Sequence, residues 1–314
     1  MATTAGAIER VVTSRRSSGV WRDAFGRLIR NRLAIVGGIW VILLLFIGIF
    51  GPFIAPWHYD QKDNIAFNLA HGRPVPPFTI PNHLFGLDNY GLDTFSKLLD
   101  GAQISMSVAF VVQAVVLLIG VPIGAVAGWY GGRVDTYLMR FTDVMYAFPD
   151  LLFIILLSVA FRDTDFGRAL NGLFLVFVAI GLTSWVTVAR LVRGQLLSLR
   201  ETEFVEAARA IGVSSGKIVT RHLLPNAIGP VIVAVTLGIP TAILAEATLA
   251  YLGVGVQPPR ASWGKMIAEG VGFIRSAPYL TYLPGIMIAT ALMSFTFLGD
   301  GLRDALDPKL RGKQ

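Results

Sequence analysis

The sequence predicts an all-α membrane protein with six transmembrane helices and both termini on the cytoplasmic side. Of its 314 residues, 54% are hydrophobic and only 15% are charged, whereas an ordinary soluble domain is about 25% charged. The mean hydropathy of +0.62 agrees. Six apolar stretches reach or approach the roughly 20 residues that a spanning helix needs. Composition therefore predicts a membrane protein before any motif is considered.

The six predicted spans are long apolar runs that contain at most one charged residue each. The third holds one acid, Asp150, directly after Pro149, and the fifth is uncharged as far as Glu246. The predicted spans are Leu33–Ala55, Ile104–Trp129, Val144–Phe161, Gly172–Ala189, Ala227–Ala245 and Ala277–Leu298. No other segment is long enough to add a seventh.

The orientation of the spans follows from where the basic residues lie. With the N-terminus inside, 19 of the 27 Lys and Arg residues fall on the cytoplasmic side and 8 on the other. Short cytoplasmic loops carry an excess of Lys and Arg. The net charge of +7 is therefore interpreted as membrane topology, with the lipid bilayer as its partner and no nucleic acid.

This topology divides the chain into a tail, a six-span domain and a second tail. Residues 1–32 are predicted as a cytoplasmic N-terminal tail, residues 33–300 as the six-span domain, and residues 301–314 as a cytoplasmic C-terminal tail. The domain contains an outer loop over residues 56–103 and a cytoplasmic loop over residues 190–226. The first apolar run is too long for a signal peptide, so it is expected to stay as an anchor.

The segment before the first span has the pattern of an amphipathic helix. Trp21, Phe25, Leu28 and Ile29 share one helical face, and most charged residues lie on the other. This favours an interfacial helix on the inner leaflet of the membrane. The alternative is a solvated basic tail with accidental spacing.

Composition also excludes several kinds of chemistry. The chain has no cysteine and only four scattered histidines, so we expect no metal site and no thiol chemistry. No nucleophile–base pair is visible, and we expect no catalytic residue. The outer segment GLDNYGLD lacks the spacing of an EF-hand calcium loop and is interpreted as ordered loop.

The cytoplasmic loop contains one polar stretch, FVEAARAIGVSSGKIVTRHLLPNA, between two apolar spans. Thr202 is a candidate N-cap for a first helix, and Gly212 follows its end. Phe204, Ala207, Ala208 and Ile211 are expected to share one apolar face. Ser214 can cap a second helix, which we expect to end or bend before Pro225. The stretch is therefore predicted as helix, break and helix.

Three functions compete for this stretch. A phosphate-binding loop fails because only three residues separate Gly212 from Gly216, and Ile218 follows Lys217. A DNA-binding helix-turn-helix is disfavoured because about 35 residues between two spans are too few for a soluble core of their own. A docking element remains, in which two short helices fit the groove of a soluble partner. The bland alternative is a surface loop without a partner.

A family resemblance favours the docking element. The pattern E-A-A-x3-G, then nine residues, then x-x-L-P resembles the signature loop of the transmembrane subunits of binding-protein-dependent ABC importers. The chain matches it at Glu206, Ala207, Ala208, Gly212, Leu224 and Pro225. At His222 many members carry Ile, and the His-Leu-Leu-Pro-Asn variant resembles the branch that imports dipeptides, oligopeptides or nickel. Further segments resemble the same branch: HLFGLDNYGLDTFSKLLDGAQISMSVAF, GGRVDTYLMRFTDVMYAFPDLL, ILAEATLAYLGVGVQPPRASWGKMI and LGDGLRDALDPKLR.

The resemblance implies a type I ABC importer transmembrane domain in the inner membrane. It implies a heterodimer with a homologous permease, two cytoplasmic ABC ATPases that bind ATP and Mg²⁺, and an extracytoplasmic substrate-binding protein. The residues it assigns to ATPase coupling are Glu206, Ala207, Ala208, Arg209, Gly212, Leu224 and Pro225. Many relatives carry Arg where this chain has Leu92, so the resemblance does not carry over any contact of that Arg with a binding protein.

Two acids in the spans are candidates for the translocation path or for pairing with the partner subunit. An ionisable residue inside a membrane is a functional hypothesis by default. Glu246 could instead lie hydrated at the outer interface, and Asp150 could satisfy backbone groups freed by Pro149. Peptides are the favoured cargo, with nickel chelates or glutathione-like molecules as alternatives. An ion-coupled secondary transporter is the alternative from another class.

Overall fold

The computed structural model describes residues 20–307, which form α-helices joined by turns and loops. The helices are α1 (Val20–Leu28), α2 (Arg32–Ile54), α3 (Asn64–Leu69), α4 (Thr94–Tyr130), α5 (Gly132–Ala147), α6 (Asp150–Phe161), α7 (Asp165–Arg168), α8 (Leu173–Leu199), α9 (Glu203–Ala210), α10 (Ser215–Ile218), α11 (Leu224–Tyr251), α12 (Trp263–Gly270) and α13 (Tyr279–Leu306). Within residues 20–307, β-pairing is limited to isolated bridges. The all-α prediction is confirmed.

Five helical segments are long and apolar enough to cross a membrane, and a bent pair, α5 with α6, makes a sixth if it counts as one span. The prediction of six spans holds on that count. The predicted third span, Val144–Phe161, is wrong as a continuous helix because the pair bends by 81°. Phe148 is extended there, with φ −75° and ψ 134°. A residue before proline is pushed out of the helical region, which explains the break at Pro149.

Most helices extend beyond the predicted spans. α4 begins at Thr94 inside the predicted outer loop, α8 continues to Leu199, and α13 runs to Leu306 inside the predicted C-terminal tail. Backbone hydrogen bonding does not require apolar side chains, whereas an apolar run marks only the part of a helix that suits hydrocarbon. The hydropathy pattern therefore located the helices and underestimated their length.

The most extensive helix packing joins α4 to α8, and a row of glycines lies in it. Gly120, Gly124 and Gly128 recur every fourth residue on one face of α4. A Cβ atom added at Gly124 would lie 2.4 Å from the carbonyl oxygen of Ala189. Small residues at this spacing let two membrane helices approach closely. α4 and α8 consequently pack as one unit.

The helix after Ser214 was predicted to end or bend before Pro225, and of these two alternatives the end is wrong. α10 continues into a π-helical segment, Val219–Leu223, and then into α11. The amide of Leu224 donates to the carbonyl of Val219, five residues earlier. Pro225 lacks an amide proton and crowds the preceding turn. A wider turn accommodates it without leaving the helix.

The N-terminal helix forms where the amphipathic pattern predicts it, over Val20–Leu28. Ala24 is buried, while Phe25 is 64% exposed. Gly301 of α13 lies against Ala34 and the Leu28 side chain, so the helix rests near the cytoplasmic end of α13. Its place on the inner leaflet stays a prediction. The side chain of Trp21 and the basic residues beyond Asp307 lie outside the described part of the chain.

The outer segment between α2 and α4 is ordered by buried polar side chains. The His83 ring lies between Asp93, at 2.9 Å, and Asp63, at 3.2 Å, and it stacks on Trp57. Asp93 also caps α4 through the amide of Ser96 at 2.7 Å. Leu92 is buried. These contacts fasten the outer segment to the start of α4.

Candidate functional site

The candidate coupling site is α9, which lies between the spans α8 and α11. Thr202 occupies the N-cap position with extended backbone, as predicted. Its hydroxyl donates to the carbonyl of Leu199 at 2.6 Å and does not cap the helix. Gly212 follows the helix with φ +78°, a conformation that glycine adopts at no steric cost. The predicted first helix and its end are confirmed.

The apolar residues of α9 divide between two faces, and this differs from the prediction. Val205 and Ala208 are buried at 0% and 7% exposure, and they pack into the core between the spans. Phe204 and Ile211 are 42% and 80% exposed, and Ala207 is exposed beside them. Because successive helical residues turn by about 100°, Ala208 falls on the side of Val205. The outer face is called the coupling ridge below and consists of Phe204, Ala207 and Ile211.

The charged residues of α9 lie at its two ends. Glu203 and Glu206 are exposed in the first turn, where the helix dipole favours negative charge. Arg209, in the last turn, lies over the indole ring of Trp129 at 4.8 Å from the ring centroid. Arg209 therefore contacts its own chain, although the sequence interpretation grouped it with residues that contact the ATPase.

The sequence motif joins two surfaces that the fold separates. Leu224 and Pro225 do not extend the coupling ridge. They line a groove of about 620 Å³ between α4 and α11. The rest of the groove is apolar except for Thr220 and Thr236; its other lining residues are Leu117, Val121, Ala227, Ile228, Val231, Ile232 and Val235. The motif residues thus lie on at least two faces of the molecule.

The two membrane acids occupy contrasting positions. Asp150 is exposed in the first turn of α6, after the break at Pro149. Glu246 of α11 is only 1% exposed. Neither of its carboxyl oxygens makes a hydrogen bond of normal geometry within residues 20–307, although the hydroxyls of Ser105 and Ser262 lie within interaction range. Because Glu246 is buried in this conformation, it does not lie hydrated at the outer interface.

Sequence reasoning missed two sets of buried polar or aromatic residues. Lys97, near the start of α4, is buried and pairs with Asp88 at 2.6 Å and Glu269 of α12 at 2.9 Å. A lysine inside the predicted outer loop, residues 56–103, gave no signal of this. Trp129, under Arg209, lies at the cytoplasmic end of α4, where interfacial aromatic residues are common. Among residues 20–307, no group of three or more His, Cys, Asp or Glu side chains could hold a metal ion.

Comparison with known proteins gives two matching family models. Residues 120–312 match the family described as binding-protein-dependent transport system inner membrane component. Residues 19–71 match the N-terminal transmembrane domain of oligopeptide transport permease C. The two matches together cover both the first span and the coupling site.

Individual relatives match over nearly the whole chain. The oligopeptide transport system permease protein OppC of Bacillus subtilis (strain 168) is 38% identical over 310 residues, which are 99% of this chain and 96% of OppC. The dipeptide transport system permease protein DppC of the same organism is 40% identical over 299 residues, which are 95% of this chain and 88% of DppC. The match therefore extends from end to end.

A solved structure shares the fold. A chain of the inward-facing MetNI methionine ABC transporter aligns with a TM-score of 0.54 at 20% identity, covering 66% of this chain and 95% of that chain. At this identity the likeness concerns the arrangement of helices and carries no information on cargo.

Proposed function

The chain belongs to the family of binding-protein-dependent transport system inner membrane components, and on this premise we propose that it imports peptides as one half of a heterodimeric translocation path. The second half is a homologous permease. Two cytoplasmic ABC ATPases hold ATP and Mg²⁺ and drive the cycle, and an extracytoplasmic binding protein delivers the cargo. The chain itself is a multi-pass membrane subunit for transport.

The observation that carries the proposal is the coupling ridge on α9. A short helix with Phe204, Ala207 and Ile211 turned outward offers an apolar knob of small and large side chains. Helices of this kind fit hydrophobic grooves of partner proteins. The exposed Glu206 beside the ridge supplies a polar contact at its edge. The ATPases are expected to seat this knob, so that their closure on ATP moves α9.

Peptide cargo is proposed from the relatives and from the groove between α4 and α11. Both relatives described above carry names of peptide permeases. The groove lining contains no His, Met, carboxylate or basic residue. An uncharged wall suits a cargo of varied sequence and offers no ligand to a bare metal ion. Nickel chelates and glutathione-like molecules use the same machinery and are outcomes that an uptake assay would separate.

We propose different roles for the two membrane acids, Asp150 and Glu246. Asp150 is exposed on the described chain, which supports a role at the translocation path or at the contact with the partner permease. Glu246 is enclosed by its own chain. It can line the path or pair with the partner only if α11 moves away from its neighbours during the cycle. We therefore propose Asp150, ahead of Glu246, as the acid that lines the translocation path.

A crosslinking experiment tests the docking of the ATPase. Ala207→Cys puts a single thiol on the coupling ridge of a chain that has no cysteine. A photoactivatable maleimide in inverted native membranes is expected to capture an ABC ATPase, identified by mass spectrometry. Ala208→Cys is the matched control, because the neighbouring residue is of the same type and 7% exposed, and it should capture none.

The contrary result would overturn the proposal. A Cys at position 207 that is labelled readily from the cytosolic side and yet never captures an ATPase would leave the ridge without its partner. The ion-coupled secondary transporter would then be the next hypothesis to test.

A further inference from the structure

Helix α9 is held on the spans by a small part of its surface. Only Val205 and Ala208 of its eight residues are buried. The turn after it is closed by backbone bonds from the Gly212 amide to the Arg209 carbonyl and from the Val213 amide to the Ala208 carbonyl, and these bonds do not join α9 to a span. An element with so little buried surface moves easily against its support. A further contact is needed if a force on the coupling ridge is to reach a particular span.

The contact between Arg209 and Trp129 meets that need. The guanidinium lies 4.8 Å from the centroid of the indole, within the range of a cation–π interaction, for which Trp is the best partner. Within residues 20–307, Arg209 makes no ion pair with a carboxylate. Trp129 is half-buried against the core cluster that also contains Val205 and Ala208. The indole is therefore fixed on one side and contacts α9 on the other.

Trp129 is the second-last residue of α4, and α4 is locked to α8. The glycine row brings the two backbones into direct contact, and at Gly128, next to Trp129, an added Cβ would lie 2.8 Å from the carbonyl of Arg193. The same Arg193 donates two hydrogen bonds to Asp135 of α5, at 2.5 and 2.6 Å. The end of α4 that carries Trp129 is therefore packed directly on α8, so we expect a force on the indole to act on both helices.

The other coupling element, α10, meets the end of α4 more loosely. A cavity of about 170 Å³ lies between Trp129 and Tyr130 on one side and Ser215, Gly216 and Val219 on the other. A gap of this size leaves the facing side chains without dispersion contacts. Of the two short cytoplasmic helices, α9 is the one with a charged side chain seated on the end of α4.

We propose that Trp129 is a positioning residue for transport, which receives the movement of α9 through Arg209 and passes it to the α4–α8 pair. The proposal rests on the proposed function, because it assumes that an ATPase moves α9. It assigns Arg209 to a joint within the chain and leaves Glu206 and the coupling ridge to the ATPase. An Arg209 that instead paired with an acid of the ATPase would make Trp129 dispensable.

The first test compares three variants in the assembled importer. Trp129→Leu removes the π face and keeps an apolar side chain, Trp129→Phe keeps an aromatic face, and Tyr130→Leu alters an exposed neighbour (65% exposed) as the matched control. Each importer is purified with its partner subunits, reconstituted in proteoliposomes with its binding protein, and supplied with tri-alanine. The measured quantity is the peptide taken up per ATP hydrolysed.

Uptake per ATP is expected to fall about two- to fivefold in Trp129→Leu, since a cation–π contact at an exposed site has an energy of about 0.5–1 kcal/mol. ATP hydrolysis should stay near the unsubstituted rate, Trp129→Phe should restore most of the ratio, and Tyr130→Leu should change nothing. An unchanged ratio of peptide to ATP in Trp129→Leu would overturn the proposal. If Arg209→Gln also abolishes capture of the ATPase by Ala207→Cys, Arg209 belongs to the ATPase contact.

A second measurement does not depend on the cargo. Nitroxide labels at Ala210→Cys on α9 and Val126→Cys on α4, both exposed positions, report their separation by pulsed electron paramagnetic resonance in nanodiscs. The distance distribution should be narrow with and without ATP and vanadate, and it should broaden in Trp129→Leu. Equal widths of the distance distribution in both proteins would overturn the proposed contact between α9 and α4, even if the importer still transports peptide. An unsubstituted importer that takes up no tri-alanine and shows no ATPase stimulation would instead overturn the proposed function.

Discussion

At the scale of single residues, the position of a charge decides which partner it can meet. Glu206 and Arg209 are three residues apart on α9 and both are exposed, but the guanidinium of Arg209 lies over Trp129. Residues three apart are close neighbours on a helix surface. Because Arg209 already contacts its own chain, we expect Glu206 rather than Arg209 to contact a soluble subunit.

Reversing that charge should uncouple transport. In Glu206→Lys we expect peptide uptake to fall by at least about tenfold, because a wrong charge at a docking surface costs more than about 1.4 kcal/mol. Membrane insertion and expression should be unchanged, as judged by immunoblot of washed membranes. Glu201→Lys is the control, since Glu201 is exposed just before α9. Uptake at the unsubstituted rate in Glu206→Lys would contradict the assignment.

Asp63 gives the outer segment a dependence on pH. The Ala66 amide donates to its carboxylate at 2.9 Å, and this backbone hydrogen bond is the main reason that the pKa of Asp63 lies below its ordinary value, despite some desolvation. A carboxyl whose pKa is lowered by folding stabilises the folded state above the unfolded pKa of about 3.9. That contribution is lost as the pH falls through the lower, folded pKa.

Amide hydrogen exchange in nanodiscs checks this. The protection factor of the Ala66 amide should be constant near pH 5 and above and should fall below about pH 4. Asp63→Asn should remove the pH dependence, whereas Asp163→Asn, at an outer position that is 94% exposed, should leave it intact. Protection in the unsubstituted protein that stays constant down to about pH 2.5 would be the contrary finding.

At the scale of elements, the turn after α9 sets where the coupling ridge ends. Gly212 holds φ +78° and lets the chain reverse directly into α10. Ile211, the last residue of the ridge, is 80% exposed because the helix stops there. Lengthening or tilting α9 would move Ile211 relative to Phe204 and alter the shape that the ATPase meets.

A valine at this turn should distort the ridge. A β-branched residue at positive φ costs about 1–3 kcal/mol, and we expect Gly212→Val to reduce ATPase stimulation by the assembled importer several-fold. Gly216→Val is the matched control: neither glycine has a neighbour within 4 Å of an added Cβ, and only Gly212 has positive φ. Equal ATPase stimulation in the two variants would show that the backbone conformation of the turn is unimportant.

At the scale of the whole molecule, the energy source separates an importer of this family from an ion-coupled transporter. Ion-coupled transporters carry several ionisable residues in their spans. Here the candidate acids are Glu246, enclosed by its own chain, and Asp150, exposed at a helix start. Their separation on different elements offers no proton relay within the described chain, and the coupling ridge points to an external motor.

Depleting each energy source in turn checks this. In cells or vesicles, uptake of tri-alanine through this importer should collapse when ATP is exhausted with the proton gradient kept, and it should survive a protonophore when ATP is kept. The control is the same assay in a strain that lacks the chain, which subtracts other peptide carriers. Uptake that followed the proton gradient and ignored ATP would establish the ion-coupled class instead.

The sequence by itself determined the features that depend on local pattern. Apolar run length located the spans. The residues around Thr202 and Gly212 indicated a helix with its end, because the φ preference of glycine acts locally, although the Thr202 side chain does not cap that helix. Proline at position 149 indicated freed backbone groups within the third span, but the span was predicted as one run and its bend of 81° was not readable.

Only the tertiary structure decided which side of α9 turns outward, what Arg209 contacts and how deeply Glu246 is enclosed. Each depends on side chains that come from segments distant in sequence: Trp129 and the core around Val205 for α9, and the helices α4 and α12 for Glu246. A period of 3.6 residues shows which residues share a face of a helix, but the neighbouring helices determine which face is buried.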